Sequence, residues 1–111
     1  MTLPSSNVFA EMRLTENQAL DLLRSRIQKD RLYSSWTTLS CLSFFIEKKM
    51  NDYIDIGIHE KHGGECPSDS NTWPIVDRFR IYRLTKKIQW YEPTEGEYLP
   101  YRTVLKAKLK K

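Results

Sequence analysis

Four groups of residues have types and spacings that could do chemistry. His59-x2-His62-x3-Cys66 offers two imidazoles and a thiolate within eight residues, and Glu60 or Glu65 would complete a tetrahedral zinc set. The spacing follows no zinc-finger pattern, and two of the ligands would have to leave a strand end while Gly63-Gly64 bends the chain. The same loop offers Cys66 as a nucleophile, His62 as its base and Asp69 as the orienting group, but nothing beside it marks an oxyanion hole or a substrate pocket. Glu92, Glu95 and Glu97 ring the turn "EPTEGE", an imitation of a paired-acid site that is equally an ordinary exposed acidic turn. In "FRIYR", arginines alternate with aromatic and aliphatic residues as in RNA-stacking platforms, without the glycine-rich form of the known RNA-binding signature. No phosphate-cradling glycine loop occurs. The expectation is a protein that is not an enzyme, with no catalytic residue, no metal ligand and no cofactor.

Whether these groups meet depends on the elements that carry them. Thr15 and Gln18 stand at capping-box spacing, Leu14 and Ala19 at staple positions, and Leu20, Leu23 and Ile27 form one apolar stripe, which predicts a helix from about Glu16 to Asp30. "RLYSSWTTLS" breaks that period and reads as a connector, with Leu32 and Trp36 expected to plug the core edge. From Cys41 the period becomes two. Leu42, Phe44 and Ile46 alternate with Ser43, Phe45 and Glu47, and Ile54, Ile56 and Ile58 share one face while Tyr53, Asp55, Gly57 and His59 share the other. "KKMND" turns between these strands. Ile75, Phe79 and Ile81 alternate with Val76, Arg78, Arg80 and Tyr82 in a third strand, "IQWYE" makes a fourth, and "EYLPY" a fifth that Pro100 confines to an edge. The order is a helix followed by a meander, so the fold class is α+β: one N-terminal helix on one face of a four- to five-stranded antiparallel sheet.

This topology opens a further role for Cys66, a bond to Cys41. Cys41 begins the first strand and Cys66 follows the second, so antiparallel pairing through the turn near Asn51 brings them together. Two free thiols remain the alternative. A bridge would contribute about 3 kcal/mol by constraining the unfolded chain and would require an oxidising compartment. The sheet face away from the helix carries Tyr53, Asp55, His59, Arg78, Arg80 and Tyr82, with Tyr91 or Trp90 according to register. Aromatics mixed with arginines are enriched at protein interfaces, and they also occur as cross-strand pairs on solvated sheets.

Composition limits the remaining choices. A chain of 111 residues, 40% hydrophobic and 29% charged, supports one globular domain, and no apolar run nears the roughly 18 residues of a membrane span. The net charge of +4 is concentrated in the terminal "KAKLKK", so a basic nucleic-acid face is not demanded. Residues 1–13 read as a flexible N-terminal segment, 14–103 as the domain and 104–111 as a basic tail.

The segments "CLSF", "EKHGGEC" and "SDSNTWPIVDRFRIYRLTKKIQWY" resemble small exported bacterial domains distantly similar to PepSY and cystatin-like α+β proteins. The resemblance spans about residues 15 to 101 and is carried by Cys41, His62, Cys66, Asp69, Asn71, Thr72, Pro74, Phe79, Arg80, Trp90 and Tyr91. Pro67 and Ser68 depart from it, standing where glycines are expected. It implies a helix on a four- or five-stranded antiparallel sheet, a Cys41–Cys66 bridge, and a periplasmic or envelope setting reached by an export signal outside this sequence. It brings no catalytic residues. The expected function is a non-catalytic envelope domain that binds another protein, of inhibitor or immunity type, through Tyr53, His59, His62, Trp73, Arg78, Arg80 and Tyr82. The alternative is a cytosolic nucleic-acid-binding module using the Arg/Tyr-rich sheet face.

Overall fold

A computed structural model describes residues 12–67 and 71–109. Helix α1 spans Glu16–Asp30, and its start is the reciprocal cap read from the sequence: Gln18 N donates to Thr15 Oγ1 at 3.2 Å and Thr15 N to Gln18 Oε1 at 2.9 Å. Two of the four unpaired N-terminal amides are thereby satisfied. Ala19, Leu23 and Ile27 are buried at one-turn intervals, with Leu20 at the margin of the stripe. The helix ends at Arg31 in the left-handed region (φ 53°), where Arg31 N bonds Gln28 O and Leu32 N bonds Ile27 O. This is a Schellman-type termination with an arginine where glycine is usual.

Strands β1 (Leu42–Lys49), β2 (Tyr53–Glu60), β3 (Ile75–Tyr82), β4 (Ile88–Glu92) and β5 (Glu97–Pro100) pair antiparallel in sequence order. Ile54, Ile56, Ile58, Phe79 and Ile81 are wholly buried beneath α1, joined by Leu42, Ile88 and Trp90. Burial of such side chains, each worth about 1.5–3 kcal/mol, is what holds helix to sheet. Two bulges interrupt the ladder. The first leaves Glu47 without a partner on β2, and the second falls between Ile58 and His59, setting Ile75 opposite His59.

Three expectations need correction. Residues 104–109, set apart above as a basic tail, belong to a second helix, α2 (Tyr101–Leu109), which starts as β5 ends and packs on β4 and β5. Tyr101 and Val104, three residues apart on one helix face, are buried in the core, and the lysine-rich composition hid that short stripe. Trp36 does not plug the core: it is 46% exposed, and Tyr33 is the buried aromatic with Leu32. Ile75 is 38% exposed because the bulge turns it out of the β3 alternation. Among the described residues no helix is long and apolar enough to cross a membrane. Residues 1–11 of the expected N-terminal segment lie outside the described residues. The chain just before α1 is pinned, with Leu14 N donating to Arg83 O and Arg83 Nε to Leu14 O, each at 2.9 Å.

Candidate functional site

Cys41 and Cys66 form a disulfide. The pairing follows from the β1–β2 register, which sets Leu42 opposite Glu60, and from Lys61 N donating to Cys41 O at 2.8 Å. Gly63 (φ 90°) and Gly64 (φ 58°) then turn the chain back in a conformation side chains resist, and Gly63 and Cys66 exchange backbone bonds of 3.1 and 2.9 Å. With its sulfur in the bridge, Cys66 is neither thiolate ligand nor nucleophile. His62 is held between Thr72 Oγ1 at 2.8 Å and Glu60 Oε1 at 3.1 Å, with its side chain 8% exposed. It braces the loop instead of facing a ligand. His59 Nδ1 lies 2.9 Å from Trp73 O, and since a carbonyl only accepts, that nitrogen carries the proton. No cluster of three or more His, Cys, Asp or Glu suited to a metal occurs among the described residues, and Asp69 lies outside them. The carboxylate of Glu92 accepts from the amides of Thr94 and Glu95, so it caps its turn and is not half of an acid pair; those amide bonds hold its pKa below the usual value.

The sheet face away from the helices brings together most of the remaining candidates. Arg80 lies across β2 and binds Asp55 through Nε–Oδ1 at 2.8 Å and Nη2–Oδ2 at 3.1 Å, a bidentate fork on a cross-strand pair. Its guanidinium is stacked between Tyr53, 3.8 Å to the ring centroid, and Tyr98, 4.1 Å. Hydrogen bonding to Asp55 raises the already high Arg80 pKa further, against the opposing effect of burial, so this arginine stays charged. Burial, followed by the Asp55 charge, raises that of Tyr98. Next to this group, Arg78 binds Glu47 at 3.0 Å, and the bridge between β1 and β3 passes over Gly57. A Cβ on Gly57 would stand 2.6 Å from a Glu47 carboxylate oxygen, so the glycine makes room for the pair.

Tyr53 meets Tyr82 edge-on, Tyr82 Oη bonds Gln89 at 3.1 Å, and Tyr91 meets Tyr98 edge-on. Register therefore assigns Tyr91 to the open face and Trp90 to the core. At one end of this face Phe45 packs edge-on against His59, near Trp73 and Ile75, with Phe45 45% and Trp73 47% exposed. Of the seven candidates, Tyr53, His59, Arg78, Arg80 and Tyr82 share this face. Trp73 stands exposed on the segment leading into β3, and His62 is withdrawn into the loop.

Sequence reading missed Tyr98 and Asp77. Tyr98 comes from β5, and only the β4–β5 register, with Tyr91 opposite Tyr98, could have placed it on this face. Asp77 holds a core-facing position on β3 and is 8% exposed. Its Oδ2 accepts from Tyr33 Oη at 2.6 Å, its Oδ1 from Trp90 Nε1 at 2.8 Å, and Lys108 Nζ of α2 stands 3.5 Å away. Burial, with the Asp77 charge next in weight, raises the Tyr33 pKa far above that of a free phenol, keeping it a donor. The available signal was a charged residue at an inward parity in "IVDRF", followed by a tryptophan at an inward parity in the next strand. No protein-family model matches this chain, and no match is found among curated proteins or solved structures.

Proposed function

We propose that this protein is a non-catalytic domain of a bacterial cell envelope that binds another protein through the open sheet face, in an inhibitor- or immunity-type role. The observation that carries the reading is the way the face is finished. Its charges are paired among themselves, Arg80 with Asp55 and Arg78 with Glu47, so a partner meets fixed aromatic rings and the apolar group Phe45, Trp73 and Ile75. Side chains already locked in place lose little entropy on binding, and Tyr, Trp and Arg are the residues that dominate interface energetics. The Cys41–Cys66 bond is consistent with an oxidising compartment. The resemblance to exported PepSY and cystatin-like domains points the same way. The nucleic-acid alternative loses support at the same residues, because the two arginines it would use already neutralise carboxylates.

A photo-reactive phenylalanine analogue placed at Phe45 or Tyr82 tests the reading in envelope extracts. A discrete protein adduct is expected from these positions and not from Arg102, which is exposed on α2. Adducts from Arg102 alone, or from none of the three, would refute it. Retention on heparin that weakens steeply with salt would transfer the face to nucleic acid. Thiol titration of the unreduced protein should find neither cysteine, and two reactive thiols would remove the envelope setting.

A further inference from the structure

The side of the molecule away from the open sheet face is formed by the two helices, and its charge is not balanced. Between Leu22 and Trp36 the sequence holds a single acidic residue, Asp30, and from Tyr101 to Leu109 it holds none. Asp30 is already bound by Arg26 at 3.1 Å. Ring contacts draw these segments together: the Arg26 guanidinium lies over the Tyr101 ring at 4.7 Å, Lys108 Nζ over the Tyr33 ring at 5.9 Å, and Tyr33 meets Trp36 edge-on at 6.0 Å. Around this seam Lys29, Arg31, Arg102 and Lys106 are exposed, and none makes an ion pair or hydrogen bond through its side chain among the described residues. Helix stability explains only some of them. Cations in a last turn suit the negative end of a helix dipole, which accounts for Lys29 and Lys106. Arg102 stands instead in the first turn of α2, at the positive end, and repels Lys106 one turn on. Trp36 is equally unexplained by the core: it is 46% exposed, and its backbone N–H bonds Tyr33 O at 3.2 Å, which fixes the turn that displays it.

We propose that this side is a peripheral contact for an anionic phospholipid membrane surface, with Lys29, Arg31, Arg102 and Lys106 over the headgroup phosphates and the Trp36 indole at headgroup level. Charge complementarity selects the occupant: each cation near an anionic bilayer strengthens binding, and the amphipathic ring of tryptophan settles at the boundary between membrane and water. A nucleic-acid strand is the poorer fit, because it is held by several rings that stack on successive bases, and the other exposed aromatic side chains, Phe45 and Trp73, belong to the open-face group. The contact spans nothing and is reversible. Docked in this way, the domain turns its open sheet face away from the bilayer. The site is separate from that face and does not depend on its role.

The test is sedimentation of the full chain, disulfide intact, with vesicles of phosphatidylglycerol and phosphatidylcholine in equal parts. Binding is expected to these vesicles and not to phosphatidylcholine alone, falling steeply with salt and bringing a blue shift of tryptophan emission that Trp36→Phe abolishes. Arg102→Gln with Lys106→Gln should weaken it about 25-fold, at about fivefold per cation. Both side chains are exposed and unpaired, so the fold is kept. Lys86→Gln with Lys87→Gln removes the same charge from the exposed turn between β3 and β4, at the far end of the sheet, and should leave binding unchanged. The helix double variant also separates this side from the open face in any retention on heparin. Absence of binding, equal binding to phosphatidylcholine, equal losses from the two double variants, a blue shift that survives Trp36→Phe, or tighter binding of a single-stranded oligonucleotide than of the vesicles at equal phosphate concentration would each overturn the proposal.

Discussion

Asp55 and Asp77 sit on neighbouring strands, 7% and 8% exposed, and they are the buried charged residues among those described. They face opposite sides of the sheet and are satisfied in opposite ways. Asp55 meets a single partner of opposite charge, the Arg80 fork, on the strand beside it. Asp77 is held chiefly by two neutral donors, Tyr33 and Trp90, with Lys108 farther off, so it joins the connector after α1, β4 and α2. An ion pair within the sheet is a local unit that adjacent residues can exchange for another. A carboxylate that collects donors from three separate elements fixes their relative placement and has no local substitute.

Removal of the hub should therefore have the largest effect. Asp77→Ala leaves a buried phenol and a buried indole N–H without an acceptor and is expected to cost about 3–5 kcal/mol in chemical denaturation. A loss below about 1 kcal/mol would mean that the two sites are equivalent after all. Arg80→Leu should cost about 2–3 kcal/mol, less than a fully buried break because a fifth of the arginine side chain is exposed. The double variant Asp55→Asn, Arg80→Leu should recover at least half of that loss, and no recovery would deny that the pair is a self-contained unit.

Alkaline pH separates the regions further. The raised Tyr33 pKa means that above about pH 10 the unfolded chain gives up a proton that the native state keeps. Stability is thus whole below that pH and falls as pH rises beyond it, by about 1.4 kcal/mol per unit from this group. Tyr33→Phe should remove that part of the slope in a pH series of melts, and an unchanged slope would mean that the phenol of the hub is not the group responsible. The smallest effect is expected from Gly57→Ala, which displaces the end of the Glu47 side chain and weakens a surface pair by about 0.5–1 kcal/mol. Crosslinking from Tyr82 should report whether that shift also disturbs the binding face.

Much of the scaffold was legible because it rests on local rules. The Thr15/Gln18 cap, the change of period at Cys41 and the Gly63-Gly64 bend each act within a few residues, and the disulfide follows from one hairpin. Asp77 stands at an inward parity, but its role was not legible because a charged residue in a strand counts toward the polar face until its partners are known. Those partners arrive from as far as 44 residues away. Arg80 was visible as a candidate, yet its sandwich was not, since Tyr98 comes from the far edge of the sheet. The second helix escaped because its lysines outweigh the two apolar residues that anchor it.

By itself, then, the sequence determined the limits of α1, the order of the five strands, the placing of Cys41 and Cys66 at facing strand ends and the two-faced character of the sheet. All of these follow from backbone preference and near-neighbour spacing. Only the tertiary structure decided which charges are neutralised, that His62 braces the loop while Trp73 stands exposed, and that Tyr101 and Val104 anchor a second helix. Those outcomes depend on which side chains from distant segments arrive within hydrogen-bond reach, and packing alone sets that distance.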